Sequence, residues 1–150
     1  MEKINFNIAT PERVVFKDKV DSVTLPTKQG EITVLPNHVP LISVLQAGEI
    51  VVRTGDKEFS MSVSGGFLEV LSTKTVVLAD RAERSEEIDI ERAEAAMKRA
   101  RDLREQKSSD VREFAKLSAQ IEKELVRVKV GRKHFQRVEQ RGVGVKKYQK

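Results

Sequence analysis

Ser85-Glu86-Glu87-Ile88-Asp89-Ile90-Glu91-Arg92-Ala93 is the stretch at which one hydrophobic period gives way to another. Before it, apolar residues recur at every second position and Gly and Pro interrupt often. After it, they recur at every third or fourth position and charge crowds in. A period of two places alternate side chains on opposite faces of a strand, whereas 3.6 gathers them on one face of a helix. The stretch therefore predicts a boundary, with a β domain over residues 1–84 and helices from 85 onward. It also reads as a helix start. Ser85 is a favourable N-cap, and Glu86 and Glu87 would meet the positive end of the helix dipole.

Working upstream, Ile4, Phe6 and Ile8 alternate with Asn5, Asn7 and Ala9 until Thr10-Pro11. Val14 to Phe16 and Val20 to Leu25 follow. Glu31 to Leu35 reads as a strand opened by Gly30 and closed by Pro36. Leu41 to Leu45, Glu49 to Arg53 and Glu58 to Val63 come next. Gly65-Gly66 breaks the pattern before Phe67 to Leu71 and Thr75 to Ala79. Turns come every eight to twelve residues, the spacing of an antiparallel β-sandwich or barrel of about ten short strands.

Downstream, Ala93, Met97, Ala100 and Leu103 form a narrow stripe on a helix expected to run to about Gln106. Lys107-Ser108-Ser109-Asp110 is the break, and Asp110 with Glu113, or Ser109, suits a second cap. Val111, Phe114, Ser118, Ile121, Leu125 and Val128 continue at helical spacing. The reading is a two-helix antiparallel hairpin over residues 85–130, which Gly131 ends or loosens and which His134, Phe135 and Val138 could extend by a few turns, then a basic C-terminal extension over 131–150. Each stripe is thin, so the hairpin is marginal by itself. That marginality is compatible with a conformational switch and equally with a permanently docked hairpin.

Composition narrows the function. The 150 residues contain no Cys, which excludes thiolate metal sites and Cys nucleophiles. No apolar run approaches the ~18 residues of a membrane span. The net charge of +5 is uneven: residues 129–150 hold eight Lys and Arg against one Glu, while the rest of the chain is slightly acidic. No phosphate-binding loop, nucleophile elbow or His-Glu-x-x-His is present. His38, flanked by Pro36 and Pro40, reads as a loop residue. The basic tail raises the alternative of a nucleic-acid-binding adaptor. One Tyr and no Trp leave few rings to stack on bases.

Four stretches together resemble the epsilon subunit of bacterial rotary (F-type) ATP synthases. They are Gly30-Glu31-Ile32-Thr33-Val34-Leu35-Pro36-Asn37-His38-Val39-Pro40-Leu41, Ala47-Gly48-Glu49-Ile50, Gly65-Gly66-Phe67-Leu68-Glu69-Val70, and Val76-Val77-Leu78-Ala79-Asp80-Arg81-Ala82-Glu83. The resemblance covers about residues 1–130. It implies a β-sandwich followed by a helical hairpin, in a non-catalytic rotor subunit of the central stalk. The implied partners are the gamma subunit, the c-subunit ring and, when the hairpin extends, the alpha/beta catalytic head, where it blocks ATP hydrolysis. Nucleic acid is not among them. The implied place is the cytoplasmic face of the bacterial membrane, touched only through the complex. Glu31 and His38 match the end of the sandwich that faces the ring.

No cofactor is implied, but ATP is implied as a regulatory ligand of some members, through an Ile/Leu-Asp-x-x-Arg-Ala motif that Ile88, Asp89, Arg92 and Ala93 match. At 100° per residue, Ile88, Asp89, Arg92, Ala96 and Arg99 fall within about a 100° arc of the helix, with Ala93 just beyond. Asp89 could accept from the adenine amine, Arg92 and Arg99 could meet phosphates, and Ala93 and Ala96 would leave room for the base. The family's second-helix pair of basic residues corresponds to Lys123 and Arg127. An ordinary helix-start carboxylate with an i,i+3 ion pair would give the same local pattern.

Overall fold

The computed structural model describes residues 2–140. The chain divides into two compact units, one ending at Arg84 and the other beginning at Ser85. The first unit is built of ten strands: β1 (Ile4–Ala9), β2 (Val14–Val20), β3 (Ser22–Thr27), β4 (Gly30–Val34), β5 (Leu41–Leu45), β6 (Gly48–Thr54), β7 (Lys57–Val63), β8 (Gly66–Val70), β9 (Lys74–Ala79) and β10 (Ala82–Arg84). Their hydrogen-bonded order is β10-β7-β6-β3-β5-β8-β9-β1-β2, with β4 paired to β3. The alternation seen in sequence sorts the side chains. Ile4, Phe6 and Ile8 turn inward with Val23, Leu25, Ile50, Val52, Leu68, Val70 and Val77 into one core.

The sheet is not wholly antiparallel. β1 runs parallel to β9, Asn5 opposite Lys74 and Ala9 opposite Leu78, and antiparallel to β2 on its other side. Gly66 shows why the Gly pair ends β7 and opens β8. Its φ is +146°, and an added Cβ would stand 2.2 Å from the Leu78 carbonyl oxygen. Only glycine allows both that backbone and that approach. At the β2–β3 corner, Asp21 accepts the Gly55 amide (2.6 Å) and faces Lys3 Nζ (3.2 Å). The Gly55 hydrogen bond first, and Lys3 second, hold the Asp21 carboxyl below its ordinary 3.8.

The second unit opens differently from the sequence expectation. Ser85–Glu87 form a 3₁₀ turn, closed by Ile88 N–H donating to the Ser85 carbonyl (3.3 Å). Helix α1 spans Ile90–Gln106, and its N-cap is Asp89, not Ser85. The Asp89 backbone is extended, and its Oδ1 accepts the Arg92 amide at 3.0 Å. Helix α2 spans Val111–Gln140. Asp110 caps it as expected, accepting the Arg112 and Glu113 amides (3.1 and 3.2 Å).

Gly131 neither ends nor interrupts the second helix; the extension through His134, Phe135 and Val138 is the reading found, and α2 continues without a break to Gln140. The basic segment 131–150 therefore begins inside α2, and residues 141–150 lie outside the described residues. Leu117, Ile121, Glu124, Val128 and Gly131 form a buried stripe on α2 at four-three-four-three spacing, with Val130 buried beside it, while Val111 is 81% exposed. Ile121 and Val128 stand where expected, but Leu117 and Glu124 replace Ser118 and Leu125. Ala93, Met97 and Ala100 are the α1 side of the seam. Small residues there let the helices approach closely. Gly131 completes the fit: an added Cβ would lie 2.8 Å from Ile90 Cγ1 and 3.2 Å from Ile88 Cγ2.

Candidate functional site

The nucleotide motif straddles a turn and a helix start. Ile88 and Asp89 precede α1, so the single helical arc over Ile88, Asp89, Arg92 and Arg99 does not form. Arg92, Ala96 and Arg99 alone share that face of α1, at i, i+4 and i+7. Arg92 and Arg99 are exposed and make no side-chain hydrogen bond or ion pair among the described residues. Ala93 is fully buried, so it serves close packing of the helices, and the half-buried Ala96 is the small residue open to a base. Ile88 packs toward Gly131.

On α2 the expected pair divides. Lys123 is exposed, whereas Arg127 Nη1 meets Glu124 Oε2 at 2.8 Å. Glu124 is only 9% exposed. A carboxylate taken from water needs a partner, and Arg127 supplies it from one turn away. Arg132 and Glu94 pair across the two helices, and Arg104 donates to Ser118 Oγ (3.3 Å) while lying over the Phe114 ring. Because Gly131 already stands level with Ile90, residues 133–140 of α2 run past the start of α1. Lys133, His134 and Arg137 lie on that overhang.

Glu31 and His38 lie at the two borders of β4 (Gly30–Val34). Glu31 is exposed on β4, beside the Thr27–Gly30 turn. His38 lies beyond the other end of the same strand, in a loop where Asn37 takes φ +66° and His38 Nδ1 donates to the Val39 carbonyl (2.7 Å). Between Glu31 and Val34, the last residue of β4, the strand rises roughly 10 Å at 3.3 Å per residue. The His38 loop exposes Leu35 (57%) and Val39 (71%). Among the described residues no group of three His, Asp or Glu is placed to hold a metal ion, and no helix is long and apolar enough to cross a membrane.

One feature the sequence reading did not anticipate lies on the outer face of the sheet. Register places Val44 opposite Phe67, Phe67 opposite Leu78, Leu78 opposite Ala9, and Ala9 opposite Val14. These outward residues form one apolar row across β5, β8, β9, β1 and β2. Phe67, Leu78 and Val14 are each about 60% exposed, and Ile42 beside them is 75% exposed. The signal was present as apolar residues on both parities, in Val44-Leu45, Phe67-Leu68 and Val76-Val77-Leu78. A strand with water on one face does not need both.

Residues 3–85 match the ATP synthase delta/epsilon chain β-sandwich domain, and residues 86–131 match the long α-helix domain of the same chain.

The chain belongs to the ATP synthase delta/epsilon family, and within it to the epsilon chains.

The epsilon chain of Dehalococcoides mccartyi is 47% identical over 133 residues, covering 89% of this chain and 95% of that one. The epsilon chain of Chloroflexus aggregans is 40% identical over 131 residues, covering 87% and 94%. Among solved structures, a chain of the Euglena gracilis mitochondrial ATP synthase OSCP/F1/c-ring assembly superposes with a TM-score of 0.72 at 25% identity, covering 81% of this chain and 77% of that one. The ten-strand unit followed by two helices is the arrangement these family domains describe. The comparisons lend no support to a nucleic-acid-binding adaptor.

Proposed function

We propose that this epsilon chain is a non-catalytic rotor subunit of the central stalk, seated on the gamma subunit by the outer sheet face. The observation that carries this reading is the apolar row Val44-Phe67-Leu78-Ala9-Val14. A contiguous apolar strip across five strands is costly in water and marks a protein interface. The His38 loop, with exposed Leu35 and Val39, suits contact with the c-subunit ring, and the complex then holds the chain at the cytoplasmic face of the proton-translocating membrane. The helical unit restrains ATP hydrolysis by extending toward the alpha/beta head. Its basic overhang of Lys133 and Arg137 supports a contact with acidic surface there.

ATP gates that extension in this reading. Arg92 and Arg99 supply two unengaged guanidiniums on one face, and exposed Lys123 supplies a third cation. Arg127 would join only after leaving Glu124. Reconstitution tests the rotor role. Phe67→Ser should weaken binding to the gamma subunit of the same synthase by tenfold or more, given about 2 kcal/mol for an apolar side chain buried at a contact. Unchanged affinity would exclude the face. Calorimetric titration of the full chain with ATP tests the gate, with Arg92→Ala expected to abolish measurable heat. Equal binding by both proteins would sink the nucleotide site.

A further inference from the structure

The apolar row occupies one end of the outer sheet face, and the other end is different in kind. There register sets Lys19 opposite Asn5 and Asn5 opposite Lys74, with Lys17 opposite Asn7 in the neighbouring row. These side chains line a cleft of about 520 Å³. Three ammonium groups thus flank two amides, with strands about 4.8 Å apart. None of Lys17, Lys19 and Lys74 has an ion-pair partner among the described residues. One carboxylate, Asp18, also lines the cleft and accepts the Lys19 backbone amide through Oδ1 (2.8 Å), so three ammonium groups face one carboxylate and the cleft stays net positive. Asn7 Oδ1 is buried and accepts no hydrogen bond.

We propose that this polar end receives a short acidic stretch of the same partner that covers the apolar row, fixing the direction in which that partner lies across the strands. The proposal rests on the reading of the row as a docking face. The lysines call for carboxylates, because like charges held together repel unless neutralised. An acidic segment laid over β1 supplies them, and its backbone groups can also pair with the amide of Asn5 between Lys19 and Lys74. The apolar row then supplies most of the affinity, and the lysines set orientation and speed of encounter, as charged groups at an interface rim do.

The test uses the full chain and the gamma subunit of the same synthase, with affinity measured at roughly 0.05 M and 0.5 M salt, where screening lengths differ about threefold. The triple variant Lys17→Glu/Lys19→Glu/Lys74→Glu should bind about ten- to a hundredfold more weakly at low salt, with the gap shrinking at high salt. The neutral triple Lys→Gln should fall between. Unchanged circular dichroism and melting of both variants show that the fold is kept, as exposed lysines predict. Leu78→Ser serves as the reference and should weaken binding equally at both salts. If Leu78→Ser weakens binding and the charge reversal does not, the acidic-stretch proposal is wrong and the docking face stands. If Leu78→Ser changes nothing, the docking face itself is wrong. Sedimentation showing that this face pairs two copies of the chain, with the pair lost on charge reversal, would overturn the choice of partner.

Discussion

Asp89 serves the α1 cap and the nucleotide motif at once, and the two roles respond differently to substitution. Its Oδ1 holds the Arg92 amide, so Asp89→Ala should destabilise the helical unit by about 1 kcal/mol with no ligand present. Asp89→Asn keeps an acceptor of comparable capping strength. Melting should therefore be unchanged in Asp89→Asn, and ATP binding alone should weaken if the proposed gate is real. Thermal melts and titrations on the same samples separate the two. Asp21 makes a second residue-scale prediction. Its folded carboxyl titrates below 3.8 because Gly55 and Lys3 favour the anion. A depressed acid contributes stability that is present above the unfolded value and lost as pH falls through the folded one. Asp21→Asn should flatten the acid limb of a stability–pH curve below about pH 4 and leave its shape above that unchanged.

At the scale of elements, Glu124 is the reason the α2 stripe was misread. The buried positions are spaced as a heptad seam is spaced. A carboxylate at one of them, paired with Arg127 on its own helix, reads in sequence as a solvated face. Such a pair rarely adds net stability over a packed apolar side chain, so Glu124→Leu should raise the melting of the helical unit by about 1–3 kcal/mol. A lower melting point would show that the Glu124–Arg127 pair itself holds the seam. Gly131 is ambiguous in sequence for a related reason. A Gly late in a helix signals its end, but here tertiary packing uses the missing side chain as a seat for Ile88 and Ile90. Gly131→Val gains about 0.5 kcal/mol at most in helix propensity. The overpacking costs about 1–3 kcal/mol, so packing should win. Hydrogen exchange at Ser85 to Arg92 should then accelerate, while α2 near Leu117 stays protected. The strands were more legible, because inward alternation survives one outward exception. What alternation cannot state is which strand lies beside which, so the parallel β1–β9 pair had no local signature.

For the whole molecule, the two units differ in how much apolar surface they close over. Among the described residues, the β unit buries nineteen hydrophobic side chains in one cluster, and the helical unit buries six in all, three of them clustered. Cooperative stability scales with that burial. Calorimetry of the free chain should show two transitions, the helical one lower, and the lower one should move upward in Glu124→Leu without shifting the upper. A single transition unaffected by that change would mean that the units melt as one. The parallel pairing has a further consequence, for biosynthesis. β1 leaves the ribosome before the other nine strands, yet Asn5 pairs with Lys74, 69 residues later. Until β9 has emerged, β1 has β2 on one side and an open edge on the other. Closing so long a loop is slow, and an unpaired edge is a site of misassociation. The Ser85–Ala93 stretch therefore follows the last strand that the sheet needs. The nascent sandwich can seal before any of α1 or α2 is available, and the order of synthesis keeps the helices from competing for the exposed edge of β1.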